Sequence, residues 1–407
     1  MSKICHVSFS SSGGAGRVAS QLIAGLPKFG FDARLEVVTD TDIPGIIRNH
    51  PIVAGSAVID NFVVKRRSYH QLFSLTRRAP KSSRDRFCAD DLLHLHWIPG
   101  ALQISDEVLT RSPKPIVWTM HDMWPITGGC HHALECSRYS HGCLNCPAVQ
   151  PVFHSAVRRA AETKKVVLQN IPRLVICTPS RWLARQVAES SIAHDLDVRY
   201  VPNPIDPEFQ FATENTSSPS TELCQQLKLI PDDAFVIGFV AKNLDDPNKR
   251  LDLAIRTLQG MREAVCSRKI VLLAIGSSRQ SKRQWGVDIR WTGTLHSVAD
   301  RKLAYQRMNV MLSVSDAETA PLVIDEALAC GTPVVVRDSG GAAESVKDGY
   351  TGIVCKSTDQ LRLAVSRLYS DESMRLRMSE LAQHDQSHRL ANVVGIYAGI
   401  YSELISD

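Results

Sequence analysis

Short apolar runs alternating with stretches of helical spacing constrain this chain most, and they come in two series parted by one polar stretch. "ICHVSFS" is a strand-like run, residues 15 to 29 carry helical spacing, and "ARLEVVT" returns to β-type residues. Further short strands are expected at Leu92–His96, Pro115–Met120, Leu174–Thr178 and Val198–Val201. Residues Phe211 to Glu222 ("FATENTSSPSTE") are too polar to bury an element. A second series follows in "AFVIGFVA", "KIVLLAIGS", "DIRWTGT", "NVMLSVSDA", "TPVVVRD" and "TGIVC". Strand, helix and strand in repetition specify parallel sheets covered on both faces. At 407 residues the chain exceeds the ~250–300 over which one core usually grows. The expected fold is α/β, with two Rossmann-like doubly wound domains, 1–204 and 205–387, facing a central cleft. The apolar stripe of "LANVVGIYAGIYSEL" predicts a last helix, 388–407, docking back on the first domain.

Composition narrows the classes. No apolar run reaches the ~18–20 residues of a membrane span, and the start leads into a strand instead of a signal-peptide core, so a cytoplasmic protein is expected. In that compartment the eleven cysteines are free thiols or metal ligands before they are disulfides. Lys65 to Arg86 concentrates eight Lys/Arg against one acid, Asp85, with Tyr69, Leu72, Phe73 and Leu75 interleaved. Such a segment, 65–86, suits the anionic inner face of the plasma membrane or is a solvated basic loop. No nucleic-acid motif accompanies it.

Gly14-Ala15-Gly16-Arg17-Val18-Ala19 satisfies the loose GxGxxG/A pattern between a strand and a helix. Gly14 and Gly16 there let a phosphate or sugar approach a helix N-terminus, or serve only a tight turn. Taken literally, with Glu36 as ribose acid, the loop spells an NAD(P)-dependent oxidoreductase.

The second series carries more chemistry. In "SDAETAPLVIDEALACGTPVVV", Glu318 and Glu326 are separated by seven residues. A helix starting near Pro321 leaves Glu318 in the preceding loop and puts Glu326 on the second turn. Glu326 then suits the hydroxyls of a ribose, and the amides of Ala320, Pro321, Leu322 and Val323 flank the oxygens of a diphosphate or sugar, proline having no N–H to give. Upstream, "IGFVAKNLDDPNKRLDLAI" puts Lys242 after a strand and Lys249 before a helix, two cations suited to a departing diphosphate. Gly340 and Gly341 are expected to open a helix containing Glu344.

These strings resemble the retaining GT-B glycosyltransferases of family 4, with their Glu-x7-Glu motif, "EALACGTPVV" and a "GG" loop. The resemblance implies that Glu318 faces the donor sugar, that Glu326 grips the nucleotide ribose, and that Lys242 and Lys249 bind the diphosphate. "ETAP" stands where the family usually has "EGFG". In the first half, "IVWTMHDMWP" puts His121 and Asp122 at the end of a strand. His121 is a candidate for the donor sugar or acceptor and Asp122 for an acceptor hydroxyl or catalysis; the alternative is a His–Asp pair that fixes the loop. Cys130, Cys136, Cys143 and Cys146 in "GGCHHALECSRYSHGCLNCP" end in a Cys-x2-Cys spacing suited to a structural zinc, the alternatives being reduced thiols or a disulfide. The "HDMWP" to "CP" run is similar to a bacterial subgroup building exopolysaccharide, colanic-acid or capsule repeats.

The resemblance implies transfer with retention from a UDP- or GDP-sugar to a saccharide or lipid-linked saccharide acceptor. No cofactor is expected to be required for catalysis, since Asp245-Asp246 lacks the strand context of a metal motif. A catalytically inactive GT-B scaffold is the remaining alternative.

Overall fold

The structure, a computed structural model, describes residues 1–11, 13–37, 73–75, 90–98, 109, 114–209, 218–262, 267–280, 285–386 and 389–406. It divides into two compact units, Met1–Pro204 with Ala391–Asp407, and Ile205–Leu390. Apart from residues 73–75, the basic segment 65–86 lies outside the described residues.

The first unit holds a parallel sheet in the order β2-β1-β3-β4-β5-β6. Its strands are β1 (Ser2–Ser8), β2 (Phe31–Val37), β3 (Leu92–Leu95), β4 (Ile116–Thr119), β5 (Leu174–Thr178) and β6 (Asp197–Tyr200). Around it are α1 (Gly14–Gly25), α2 (His154–Gln169) and α3 (Arg181–Glu189). The expected first helix is cut short at Gly25 and finishes as a 3₁₀ turn over Leu26–Phe29, because Pro27 has no N–H to continue the α ladder. Every residue of β3 and β4 is buried, as in a strand covered on both faces.

The second unit repeats the plan in the order β12-β11-β10-β7-β8-β9. These are β7 (Phe235–Asn243), β8 (Ile270–Ser277), β9 (Asp288–Gly293), β10 (Val310–Ser313), β11 (Val334–Arg337) and β12 (Gly352–Cys355). Its helices are α4 (Thr221–Lys228), α5 (Leu251–Arg262), α6 (Val298–Gln306), α7 (Leu322–Ala329), α8 (Thr358–Ser370) and α9 (Glu372–Gln386). Phe235, Ile237 and Phe239 join one apolar cluster while Val236, Val271 and Leu273 join another. Successive residues of a strand thus feed opposite faces, which makes two helical layers necessary. The polar stretch ends sooner than expected, since the Ser220 hydroxyl accepts the N–H of Leu223 and starts α4 at Thr221.

The last helix, α10 (Arg389–Ser406), returns the chain to the first unit. There Tyr397 and Tyr401 are buried on the sheet, and Arg199 pairs with Glu403 at 2.6 Å. Among the described residues no helix is long and apolar enough to cross a membrane. In each sheet the strand order reverses at one place, between β1 and β3 and between β7 and β10, where open α/β sheets form a crevice beyond their carboxyl ends.

Candidate active site

At the switch point of the second sheet, three loops converge. The strand β10 delivers Asp316, Ala317 and Glu318, and the turn after β7 delivers Asn248, Lys249 and Arg250. Asn248 holds the two together: its side-chain amide donates to the Ala317 carbonyl at 2.9 Å and its Oδ1 accepts the Ala317 N–H at 3.0 Å. This brings the Lys249 ammonium onto the Glu318 carboxylate. Arg250, in the left-handed region at φ 57°, reaches Asp316 at 2.8 Å, and Arg337 binds the same carboxylate.

The glycine loop closes against the same glutamate. Gly341 N–H donates to the Glu318 carbonyl at 2.7 Å. Gly340 sits at φ 61°, and a Cβ there would meet that carbonyl oxygen at 2.3 Å, so only glycine fits. The helix expected after this pair is a 3₁₀ turn over Ala342–Ser345 containing Glu344.

Helix α7 begins at Leu322 with Pro321 as its N-cap, and no side chain caps it. Ile324 N–H turns back to the Pro321 carbonyl at 3.1 Å, which leaves the N–H groups of Leu322 and Val323 for other acceptors. Thr319, 3% exposed, has a hydroxyl with no partner among the described residues. Glu326, one turn into α7 and buried, accepts the Tyr305 hydroxyl at 2.9 Å, with the Arg301 guanidinium 3.9 Å away. Lys242 at the end of β7 is exposed. Asp245 caps the following loop, accepting Ser278 Oγ and Arg279 N–H at 2.7 Å each, and Asp246 accepts Asn248 N–H.

In the first unit the sequence-derived residues separate. Gly14 has open space where a Cβ would stand, whereas a Cβ on Gly16 would strike the Ser10 and Ser11 carbonyl oxygens at 2.3 and 2.5 Å. The chain's own backbone thus accounts for Gly16. Glu36 pairs with Arg34 at 2.7 Å.

Asp122 is committed to its loop and not to an open surface. Its Oδ2 lies 2.6 Å from His131 Nδ1 and accepts Trp97 Nε1–H at 2.6 Å, while its Oδ1 accepts Trp124 N–H at 2.8 Å. Burial alone would raise its pKa, but the His131 ring and the Trp124 N–H outweigh burial and hold it below the usual range. The His–Asp pair that fixes this loop is therefore Asp122 with His131, not with its neighbour His121. Lys164, fully buried beneath the loop, donates to the Trp124 and Thr127 carbonyls at 2.6 and 2.9 Å, and burial lowers its pKa to about 7.

The four cysteines gather without forming a ligand set. All four are free thiols, and Cys143 Sγ accepts Gly128 N–H at 3.1 Å. Among the described residues no three of them bring their sulfurs within the 4.8 Å that would mark a shared ion; His6, His94 and His96 do bring one nitrogen each within that span. As placed, the thiols do not fit a tetrahedral zinc, whose sulfurs all lie ~2.3 Å from the metal.

His121 follows β4, partly buried, with Nε2 3.1 Å from His96 Nδ1; burial lowers its pKa to about 4. Sequence reasoning missed His6, His94 and His96, for which the one signal was polar residues at strand spacing inside "ICHVSFS" and "LLHLHW".

Residues 12–209 match the family model described as Glycosyltransferase Family 4, and residues 234–371 the model described as Glycosyl transferases group 1. The chain belongs to the GT-B glycosyltransferases. A putative colanic acid biosynthesis glycosyl transferase of Escherichia coli (strain K12) is 24% identical to this glycosyltransferase over 341 residues, 80% of this chain and 77% of that protein. A D-inositol 3-phosphate glycosyltransferase of Stackebrandtia nassauensis is 28% identical over 222 residues, 49% of this chain, and the match spans about half of that relative, 48%. Among solved structures, sucrose-phosphate synthase from Thermosynechococcus elongatus superposes with TM-score 0.68 at 15% identity over 100% of both chains. Anabaena HepE in complex with UDP-glucose superposes with TM-score 0.64 at 16% identity, over 99% of this glycosyltransferase and 100% of that chain. At these identities the structural likeness speaks for the fold, and the family matches turn the Gly14–Ala19 loop away from the oxidoreductase expectation.

Proposed function

We propose that this glycosyltransferase takes a UDP- or GDP-sugar and transfers its sugar with retention to a saccharide or lipid-linked saccharide in bacterial polysaccharide biosynthesis. The observation that carries this reading is the convergence of Lys249, Glu318 and the Gly340-Gly341 loop at the second switch point. Glu326, its carboxylate oriented by Tyr305, takes the ribose, and Lys242, Lys249 and the N-terminal amides of α7 take the diphosphate. An incoming diphosphate competes with Glu318 for Lys249, which frees the carboxylate to face the sugar. In the first unit, the acceptor side, His121 meets a sugar oxygen, while Asp122 holds the loop that carries it.

Retention follows if the acceptor oxygen bonds to the anomeric carbon on the face that the diphosphate leaves. The acceptor proton then passes to a leaving phosphate oxygen, and no protein base is needed. Lys242 and Lys249 stabilise the charge that develops on that phosphate. Turnover proceeds without added Mg²⁺ or Mn²⁺. Phe73, one of the apolar residues interleaved in segment 65–86, is buried in the core of the first unit, so on charge alone that segment is assigned to an anionic leaflet, where lipid-linked acceptors are presented. The names of the relatives support a polysaccharide setting, and the UDP-glucose bound by HepE supports a nucleotide-sugar donor.

Thermal shift and calorimetry against UDP, GDP, ADP and NAD⁺ test the donor assignment, with Glu326→Ala as control. Stabilisation by UDP or GDP that vanishes in the variant supports it; stabilisation by NAD⁺ alone overturns it. Anomeric configuration of the product, read by NMR, decides retention.

A further inference from the structure

The polar groups that this reading leaves unused are concentrated at the switch point of the first sheet. His6 on β1 stands in register with His94 on β3, and His96 follows two residues on, on the same face. All three are at most 1% exposed. His94 is fully engaged from the side, with Nδ1 2.6 Å from the Tyr401 hydroxyl and Nε2 2.8 Å from Thr119 Oγ1. Thr119 in turn lies 2.7 Å from the Tyr397 hydroxyl.

The other two imidazoles form a line that ends on His121. His6 Nδ1 is 3.0 Å from His96 Nε2, and His96 Nδ1 is 3.1 Å from His121 Nε2. Burial keeps these rings neutral. A neutral imidazole has one N–H and one lone pair, so both links must point the same way.

The inner end sets that direction. His6 Nε2 is buried and has no partner among the described residues. With the links running inward, that atom is an N–H without an acceptor; with the links running outward, it is only an unused lone pair. A buried orphan donor is the costlier of the two. The links therefore run from His6 to His96 to His121, His121 Nε2 accepts, and its proton sits on Nδ1. Among the described residues no hydrogen-bond partner takes that Nδ1.

We infer that His6 and His96 are positioning residues that hold His121 as the Nδ1–H tautomer, so that it presents a hydrogen-bond donor, not a lone pair, to a substrate oxygen. This rests on the reading that His121 meets a sugar, and the ligand chemistry it selects is an oxygen acceptor. A metal shared by His6, His94 and His96 is the rival occupant. It would have to break one of the hydroxyl bonds of His94 and one of the two links of His96.

Long-range ¹H–¹⁵N correlation on the ligand-free, histidine-labelled protein reads the tautomer without any donor. The expected result is a protonated Nδ1 and an unprotonated Nε2 on His121. His6→Gln, whose amide can still donate to His96, should keep this pattern, while His6→Leu should give a mixture of tautomers. His6→Leu should also lower kcat about fivefold to tenfold, the worth of one neutral hydrogen bond, with donor KM little changed. His6→Gln should restore kcat. A proton on His121 Nε2 in the unaltered protein overturns the inference, as does a stoichiometric metal that is lost in His6→Leu. If the tautomer is as inferred but His121→Ala leaves kcat/KM unchanged, the functional half of the inference and the substrate role of His121 fall together. Donor binding by the second unit stands or falls separately, in the nucleotide titration.

Discussion

At the first switch point His6, His94 and His96 are sealed from solvent and neutral, whereas at the second the side chains of Lys249, Glu318, Arg250 and Asp316 keep 26%, 12%, 28% and 31% of their exposure. The same strand order thus supports two electrostatic designs. One unit hides titratable groups and uses their hydrogen bonds for geometry. The other keeps full charges at a wet rim, where a polyanion can exchange with their present partners. Neutral rings in a dry place cannot attract a diphosphate, and ionised groups in a wet one make poor rulers.

Acid should separate the two designs most clearly. A buried imidazole whose pKa is lowered in the folded state carries no penalty above the unfolded value, ~6.5. The penalty grows as pH falls towards the folded value, about 4 for His121 and about 3 for His6. Each such ring costs about 1.4 kcal/mol per pH unit in that window, so the first unit should lose several kcal/mol by pH 5. In the second unit Asp252 and Asp288 run the other way: burial opposes ionisation, but Arg250 beside Asp252, and Lys269 and Arg290 beside Asp288, hold their pKa values down. Their contribution is present above ~4 and is lost only below it. Acid titration followed by hydrogen exchange should therefore show the first unit opening between pH 6.5 and 4 with the second intact. A single transition of both units below pH 4 would erase the contrast.

Activity sharpens the comparison next. Glu318→Gln should lower kcat about a hundredfold or more, as for loss of one charged group facing a transition state, and leave the melting temperature within a degree or two. Asp122→Ala should do the reverse in kind, destabilising the first unit by about 3 kcal/mol because His131, Trp97 and Trp124 lose their shared acceptor. Equal losses of melting temperature in the two variants would break the distinction between rim and interior.

Glycine substitution has an intermediate effect. Gly340→Ala forces a Cβ against the Glu318 carbonyl at positive φ and should cost about 1–3 kcal/mol together with donor affinity. Gly14→Ala meets nothing and should leave stability almost unchanged, so any loss of turnover there points to a ligand passing close to the backbone. The smallest effect is expected from Tyr305→Phe, which removes one hydroxyl from Glu326 and should weaken nucleotide binding by about 1 kcal/mol in calorimetry.

The second unit was the more legible in the sequence, and the contrast explains why. Strands such as β8 and β10 are largely apolar runs, and Glu318, Glu326 and Lys249 are charged residues at fixed chain spacing beside a helix start, which sequence preserves. In the first unit the deciding contacts join Asp122 to His131, His94 to Tyr401 and His6 to His96, pairs that no local period connects. Adjacency suggested pairing Asp122 with His121, yet the loop after β4 directs the two to different partners. The Cys-x2-Cys spacing suggested a metal but could not show the positive-φ turn at Cys143 and Asn145, in which the Cys143 sulfur accepts a backbone N–H. The Gly340-Gly341 pair suggested a helix, but Gly341 gives its N–H to Glu318 and the chain makes a single tight turn.

The return of α10 to the first unit has a consequence for how the molecule is made. Tyr401 supports His94 across 307 positions of chain, so the N-terminal sheet cannot acquire its last buried face until the whole of the other unit has been synthesised. On the ribosome the order of completion is then inverted: the unit encoded first is finished last, and a chain interrupted before residue 389 would carry a complete second unit beside an N-terminal half left open for chaperones and proteases.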